Sequence, residues 1–352
     1  MQSWQRRTRI TDAPFVIGVG PGFYAGKDCH CVIETKRGHT LGSVIWEKEA
    51  IPNTGVPGNI GGFTTERLIR ASADGIMEPV AEIGDTVEKG QLVARTGKQP
   101  VYAKMSGIVR GMLQKDVQVT EGLKIGDIDA RCEPEHCGTI SDKARAVGGG
   151  VLEAVSLFGQ IYGNYGVALL AAGEAKRFGS DKLSEKFQGI PLYRYALEML
   201  EAFSGLSRVV VTAREALAEE AQRLGIHIVE NRQPEQGISH SVSLALQELL
   251  SQNPDLEGVL FLVCDQPGIQ AATIQKILKE GCLHKNSIVC AGYDGMRGNP
   301  VLWGSTYFQE LMHLTGDTGG RQLMKQYEEK IRIVECAPEE LKDIDRREDM
   351  TE

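Results

Sequence analysis

The chain has 352 residues, a formal net charge of −8 at pH 7 and a hydrophobic fraction of 41 %, which suits a globular protein of two or three domains. The acidic balance argues against a general nucleic-acid surface, and no apolar run is long enough to cross a bilayer. Residues 1–9 lack the apolar core of a secretory signal, so we expect a cytoplasmic protein whose cysteines are reduced.

Residues 1–65 are rich in glycine and predict short strands joined by turns. An apolar run from residue 15 enters a glycine loop that ends near residue 26, and residues 31–35 and 41–47 are strand-like. Two cysteine clusters, Cys29-His30-Cys31 and Cys132 to Cys137, lack the paired spacing of a zinc site. We interpret them as ordinary thiols, with a structural zinc as the alternative.

Residues 66–130 contain an internal repeat. Each half has a short β run and a Gly-Asp turn, Gly84-Asp85 in the first half and Gly126-Asp127 in the second. This spacing predicts a small all-β sandwich, and the pattern resembles the biotinyl/lipoyl barrel-sandwich domain. Carrier versions of that domain display a lysine between methionines; Lys98 has no such flank, so we expect a binding or scaffold element here.

Residues 131–163 are predicted to be a connector. We expect a helical turn over residues 142–147, stopped by three successive glycines at 148–150, and a short helix over 151–158.

Residues 164–352 alternate apolar strands with amphipathic helices. Strands are predicted at residues 167–170, 208–212, 226–229, 259–263, 288–291 and 331–334. Helices are predicted at residues 191–203, 215–224, 242–250 and 274–280. Such alternation predicts an α/β, Rossmann-like, three-layer domain with a mostly parallel sheet, in which ligands bind at the carboxyl ends of the strands.

The loop after the strand at 167–170 has the composition of a phosphate site. It runs through Leu170, Ala171, Ala172 and Gly173, and it later contains the two cations Arg177 and Lys182. Backbone N–H groups in such a loop can point at phosphate oxygens because few Cβ atoms block the approach. The cations can neutralise a triphosphate. The alternative is an ordinary polar αβ connection.

Further polar residues follow other strands. Asp265 ends the strand at 259–263, where a carboxylate can hold Mg²⁺ against nucleotide phosphates. Asp317 belongs to a Gly-Asp-x-Gly-x-Arg element, and Gly237 and Ser241 precede a helix, where N–H groups and hydroxyls suit a base or a phosphate. Helix capping is the alternative explanation for Asp265, for Asp317 and for a serine of the segment that contains Gly237 and Ser241.

The stretch Leu169 to Lys182 resembles the signature of the nucleotidyltransferases that activate the molybdenum cofactor. In that family the Leu-Ala-Ala-Gly form, present here at 170–173, goes with cytidine nucleotides and Leu-Ala-Gly-Gly with guanosine nucleotides. The resemblance therefore implies a molybdenum cofactor cytidylyltransferase of the MocA-like kind.

That reaction moves CMP from CTP to the terminal phosphate of molybdopterin with release of pyrophosphate. The resemblance assigns catalysis to Arg177, Lys182 and Asp265, and Mg²⁺ binding to Asp265. We expect Asp317 to complete the metal site or to contact the pterin. Binding of the nucleotide and cofactor is assigned to residues of the loop and of the later motifs: Leu170, Ala171, Ala172, Gly173, Gly237, Ser241 and Asp317. Asp343-Ile344-Asp345 is similar to the family's Asp-Ile-Asp-Thr-Pro element, but Arg346-Arg347 replaces Thr-Pro, so no role is carried over.

Residues 15–152 resemble part of a YqeB-like, selenium-dependent molybdenum hydroxylase maturation protein. The resemblance rests on Gly18 to Phe23, Glu34 to His39, Asn53 to Gly58 and Ile140 to Ala154. It implies an apo molybdenum hydroxylase as a partner, with a purely architectural appendage as the alternative. For the whole chain, a sugar- or polyol-phosphate cytidylyltransferase and a non-catalytic cofactor-delivery chaperone stay open as alternative functions.

Overall fold

The computed structural model describes residues 8–53, 59, 61–131, 133–173, 178 and 181–351. The chain divides into two compact units. The larger unit comprises Met1–Thr35, Gly42–Ile51 and Val147–Glu352, and the smaller unit comprises Lys36–Leu41 and Pro52–Ala146. The boundaries predicted near residues 65, 130 and 163 do not coincide with this division.

The strands of the described residues are short in the first third of the chain and longer in the last half. In chain order they are β1 (Ile17–Val19), β2 (Tyr24–Ala25), β3 (Cys31–Ile33), β4 (Val44–Ile45), β5 (Lys48–Glu49), β6 (Leu68–Arg70), β7 (Gly75–Pro79), β8 (Thr86–Val87), β9 (Leu92–Thr96), β10 (Gln99–Tyr102), β11 (Gly107–Met112), β12 (Gln118–Val119), β13 (Lys124–Asp129), β14 (Tyr165–Leu170), β15 (Lys186–Phe187), β16 (Ile190–Pro191), β17 (Ser207–Thr212), β18 (His227–Glu230), β19 (Gly258–Val263), β20 (Ile288–Tyr293), β21 (Met296–Gly304) and β22 (Ile331–Glu335).

The α-helices of the described residues all lie after residue 141. They are α1 (Asp142–Asn164), α2 (Leu192–Ala202), α3 (Glu215–Arg223), α4 (Ile238–Gln252), α5 (Ala271–Leu283), α6 (Phe308–Met312) and α7 (Arg321–Gln326). Within the described part of the chain, none of these helices has both the length and the apolar composition needed to cross a membrane.

The larger unit is built on a seven-stranded sheet in the order β18-β17-β14-β19-β21-β20-β22. Strands β18, β17, β14 and β19 are parallel, and Leu170 at the end of β14 pairs with Val211 and with Val263. The carboxyl ends of three neighbouring strands therefore meet at one edge, as the predicted α/β domain requires. Strand β21 was not predicted; it runs antiparallel to both β19 and β20.

The sheet is buried on both faces, which explains the continuous apolar strands. Val167 and Leu169 of β14 belong to one core cluster, and Ala168 between them belongs to the other. Helices α2 and α5 contribute to the first cluster, and α4 contributes to the second. This is the three-layer arrangement that the alternating pattern predicted.

The prediction of a helix broken at residues 148–150 is wrong. Helix α1 runs unbroken from Asp142 to Asn164 through all three glycines. At Gly150, a Cβ atom would lie 2.0 Å from the carbonyl oxygen of Gly42. Close packing of the helix on this backbone, together with burial of Ala154 and Ile161, offsets the poor helix propensity of glycine.

The smaller unit consists of two four-stranded antiparallel sheets, β10-β9-β7-β12 and β6-β13-β11-β8. The two halves of the sequence repeat exchange their short strands: β8 of the first half pairs with β11, and β12 of the second half pairs with β7. Residues of both sheets, Met77 and Val109 among them, form one buried core. The repeat is therefore one intertwined sandwich rather than two separate modules.

Candidate functional site

A cavity of about 430 Å³ lies at the carboxyl ends of β14 and β19. Its walls come from the loop after β14, the region before and within α4, the end of β19 and two later segments. The lining residues are Leu170, Ala171, Ala172, Gly173, Phe178, Lys182, Leu183, Pro234, Glu235, Gly237, Ile238, Ser241, Val263, Cys264, Asp265, Asp317 and Asp345.

The structure thus brings most of the predicted site residues to one cavity. The exception is Arg177, which lies outside the described residues together with Glu174 to Lys176, Gly179 and Ser180. The first part of the loop continues the sheet, because the N–H of Ala171 donates to the carbonyl oxygen of Val211 at 2.9 Å.

Lys182 is the cation of the described cavity wall, and it faces two carboxylates. Its Nζ donates to Oδ2 of Asp265 at 2.9 Å and lies 3.7 Å from Oδ1 of Asp345. The Lys182 side chain is 11 % exposed, compared with 28 % for Asp265 and 53 % for Asp345. The ammonium group is therefore held by acceptors that remain open to the cavity.

Asp345 is a lining residue to which the sequence analysis gave no role. The N–H of Ile344 donates to the carbonyl oxygen of Asp265 at 2.8 Å, which ties this late segment to the end of β19. Burial, followed by the nearby charge of Asp265, raises the pKa of Asp343. The Asp-Ile-Asp pattern is the sequence feature that could have identified Asp345 as a site residue. No role was assigned to it because Arg346-Arg347 stands where the family has Thr-Pro.

Gly237 and Asp317, two further lining residues, lie against each other. Gly237 has φ +83°, and a Cβ atom there would lie 2.4 Å from Oδ1 of Asp317. Any side chain at this position would collide with Asp317 and adopt a disfavoured backbone conformation. Ser241 is buried, and its hydroxyl accepts a hydrogen bond from Asn231 Nδ2 at 3.0 Å, so it is anchored within the wall.

The charges of the described lining residues favour a metal-bound anion over a free one. Lys182 is outnumbered by Glu235, Asp265, Asp317 and Asp345. Within the described ranges, no three His, Cys, Asp or Glu side chains converge as a ready-made metal cage. A Mg²⁺ ion held by one or two carboxylates, with waters and substrate phosphates completing its shell, fits this donor set.

Comparisons with known proteins divide the chain into parts. Residues 167–331 match the model of the MobA-like NTP transferase domain. A stretch of 150 residues, 43 % of this chain and 28 % of that protein, is 54 % identical to the uncharacterized protein YqeB of Escherichia coli. Over 168 residues, 44 % of this chain and 78 % of that protein, it is 27 % identical to the purine catabolism protein PucB of Bacillus subtilis.

A shorter match links the chain to molybdenum cofactor enzymes. Over 62 residues, 18 % of this chain and 32 % of that protein, it is 39 % identical to a probable molybdenum cofactor guanylyltransferase of Thermococcus gammatolerans. The chain spans less than a third of the length of this relative and of YqeB.

Residues 167–331 therefore form a nucleotidyltransferase domain of the MobA-like class, as the sequence motifs predicted. The same chain carries a stretch homologous to YqeB, which confirms the second resemblance. A single polypeptide combines the two.

Proposed function

We propose that this protein transfers CMP from CTP to the terminal phosphate of molybdopterin, with release of pyrophosphate, for maturation of a molybdenum hydroxylase. The observation that carries the proposal is that Ala171–Gly173, Lys182 and Asp265 line one cavity at the carboxyl ends of β14 and β19. The nucleotidyltransferase class rests on the domain match; the nucleotide and the acceptor are the proposed part.

In this reaction the protein needs mainly to position the two substrates and to stabilise negative charge. The attacking terminal phosphate is already anionic, so in-line attack on the α-phosphate needs no strong general base. Lys182 would exchange its bond to Asp265 for phosphate oxygens and stabilise the charge that develops in the transition state. Arg177 is proposed to act in the same way from the loop that also holds Ala171, Ala172 and Gly173.

Asp265 is the proposed Mg²⁺ ligand, with Asp317 as the second carboxylate predicted from the sequence. Asp345 competes with Asp317 for this role, because it lies 3.7 Å from the same ammonium group that Asp265 binds. The ion would supply charge neutralisation on the triphosphate. We expect nucleotide binding to disappear when divalent ions are chelated, since the described lining residues alone would repel a polyphosphate.

The choice of CTP rests on the alanine pair in Leu170-Ala171-Ala172-Gly173. Gly237 and Ser241 line the same cavity, which supports their proposed part in nucleotide binding. The relative from Thermococcus gammatolerans is named a guanylyltransferase, which makes GTP the competing nucleotide. Its name also supports a molybdenum cofactor as the acceptor.

The homology to YqeB is the basis for proposing an apo molybdenum hydroxylase as a partner. We propose that the intertwined sandwich of the smaller unit is a barrel-sandwich of the biotinyl/lipoyl kind that serves as a scaffold. Lys98 stands at the tip of the β9–β10 turn with φ +72°, without the methionine flanks of a carrier lysine.

The test is pyrophosphate release by the purified protein with Mg²⁺, molybdopterin and either CTP or GTP. Release with CTP supports the proposal. Preference for GTP would overturn the nucleotide assignment and keep the reaction class. Turnover of a sugar or polyol phosphate but not of molybdopterin would overturn the acceptor. Nucleotide binding without turnover of any acceptor would favour a cofactor-delivery chaperone.

A further inference from the structure

Arg214 makes an unusual set of contacts behind the phosphate loop. It follows β17, and its N–H donates to Oγ1 of Thr212 at 3.1 Å. Its guanidinium group donates to the carbonyl oxygens of Ala171 and Gly173, the latter at 3.0 Å, and to Oδ1 of Asp181 at 2.6 Å. One planar cation therefore ties together three positions of the loop that connects β14 with Lys182.

Residues 171–173 line the cavity, and the carbonyl oxygens of Ala171 and Gly173 also contact Arg214. Among the described residues that line the cavity, Ala171, Ala172 and Gly173 are present and Arg214 is not. In a planar trans peptide the carbonyl oxygen and the following N–H point in opposite directions. Because the Ala171 carbonyl points to Arg214, the N–H of Ala172 points away from Arg214, toward the cavity side.

This orientation matters for an anionic ligand. A carbonyl oxygen turned into the cavity would present a negative dipole end to phosphate oxygens, whereas an N–H presents a donor. Arg214 donates to the carbonyl oxygens of Ala171 and Gly173 outside the cavity and thereby holds the Ala171–Ala172 peptide in the favourable orientation. Asp181 in turn holds the guanidinium group in place. Burial by itself would raise the pKa of the Asp181 carboxyl group, but hydrogen bonds from Ser184 and Arg214 outweigh it, and the pKa is lowered.

We propose that Arg214 is a positioning residue for nucleoside triphosphate binding, acting through the loop and not by touching the substrate. The inference rests on the proposed nucleotidyl transfer at this cavity, and it extends that proposal to a residue that no motif identified. Arg214, Ala171, Gly173 and Asp181 are called the Arg214 bridge below.

A purely structural arginine in the same unit provides a contrast. Arg208 donates to the carbonyl oxygens of Leu200 and Leu224, which close the ends of α2 and α3 and are absent from the described cavity lining. If Arg214 were of this kind, its loss would lower the stability of the protein without a specific rise in KM for the nucleotide. The two possibilities therefore separate in the enzyme assay.

The kinetic test compares R214A, R214K and the wild-type protein in pyrophosphate release. We expect R214A to raise KM for the nucleotide about tenfold or more, with KM for the acceptor unchanged. R214K should rescue only in part, because one ammonium group cannot reproduce the fork that joins two carbonyl oxygens to a carboxylate. R223A is the matched control: it removes the same charge from an exposed i,i+4 pair with Glu219 on α3.

A second measurement tests the Arg214 bridge without requiring turnover. Hydrogen exchange at the amides of residues 171–173 and 181–185 should accelerate in R214A and not in R223A, with the rest of the larger unit unchanged. Unaltered exchange together with an unaltered nucleotide KM would overturn the proposal. A fall in thermal midpoint with unchanged KM values would also overturn it and make Arg214 structural. If the wild-type protein shows no nucleotidyl transfer, the proposed function fails, while nucleotide titration of wild type and R214A still decides whether Arg214 supports binding.

Discussion

Two buried titratable side chains of the larger unit, His30 and Lys182, lie in regions of opposite character. His30 is fully buried, and both of its ring nitrogens have backbone partners: the N–H of Val16 donates to Nδ1, and Nε2 lies 2.9 Å from the carbonyl oxygen of Ala202. Because Nδ1 must accept, Nε2 carries the proton and donates. Lys182 is nearly as buried, but its partners Asp265 and Asp345 are side chains open to a cavity.

The difference shows how burial can serve rigidity or chemistry. A buried polar group whose partners are backbone atoms stabilises one arrangement and has nothing to exchange. An ammonium group held by partly exposed carboxylates can exchange them for phosphate oxygens at little cost, because the acids remain solvated. We therefore expect substitutions near His30 to change stability and substitutions near Lys182 to change binding and turnover.

The largest effect is expected at the cavity. K182A should lower kcat for nucleotidyl transfer by about 10²–10³-fold, the range seen when a preorganised charge donor is removed from a transition state. Pyrophosphate release measures this, and K186A, at an exposed lysine of β15, is the control. Turnover close to the wild-type value in K182A would contradict the chemical role of Lys182 and make this residue structural, like His30.

The second effect concerns pH and His30. Burial lowers the pKa of His30 from 6.5 to about 4, so between these values the unfolded chain binds a proton that the folded chain does not. Folding stability should therefore fall as pH drops from about 6.5 to about 4, by about 3 kcal/mol in total for this residue. Denaturant unfolding of wild type and of H30N across this range isolates the contribution. Parallel pH profiles for the two proteins would contradict the prediction.

The third effect concerns Gly237, which lines the same cavity as Lys182. G237A should weaken nucleotide binding by about 2 kcal/mol, because the new Cβ would meet Asp317 and Gly316 and the backbone would hold a positive φ,. Titration calorimetry with the metal–nucleotide complex measures this. G189A is the control, since Gly189 also has positive φ but its Cβ would meet nothing within 4 Å. Equal losses of affinity in both variants would assign the effect to backbone strain alone.

The smallest effect belongs to α1, beside the His30 region. G149A should raise the free energy of unfolding by up to about 1 kcal/mol, because Gly149 is exposed, its Cβ meets nothing and alanine favours helix,. G150A should instead lower it, since its Cβ would collide with the Gly42 carbonyl oxygen. Thermal or denaturant unfolding of both variants decides. A gain in G150A would show that the helix does not depend on close packing at that position.

The predictable part of the fold was the part with regular periodicity. The six apolar strands and four amphipathic helices predicted for residues 164–352 correspond to β14, β17, β18, β19, β20, β22 and α2 to α5, with differences mainly at their ends. Strand β21 was missed because its residues contain polar and proline positions that resemble a loop motif. Helix α1 was wrongly divided because the partner of Gly150, the Gly42 backbone, lies more than a hundred residues away in sequence.

The candidate site follows the same distinction. Local motifs identified Ala171, Lys182 and Asp265, because each stands next to an apolar strand or in a glycine loop with a recognisable composition. Arg214 was missed, since a single arginine after a strand carries no pattern that distinguishes a loop-positioning residue from a surface charge. The metal pair is still a prediction: Asp317 and Asp345 both line the cavity with Asp265.

The sequence by itself determined six of the seven strands of the large sheet, helices α2 to α5, the nucleotidyltransferase class and the acids and cations available for it, because periodicity and short motifs are local properties. Only the tertiary structure decided that Lys182 pairs with Asp265 and Asp345, that Arg214 binds the carbonyl oxygens of Ala171 and Gly173, and that the glycine-rich segment is divided, with Met1–Thr35 and Gly42–Ile51 in the larger unit and its remainder in the smaller one. Those outcomes depend on which distant backbone and side-chain atoms fill the same small space, which no stretch of neighbouring residues encodes alone.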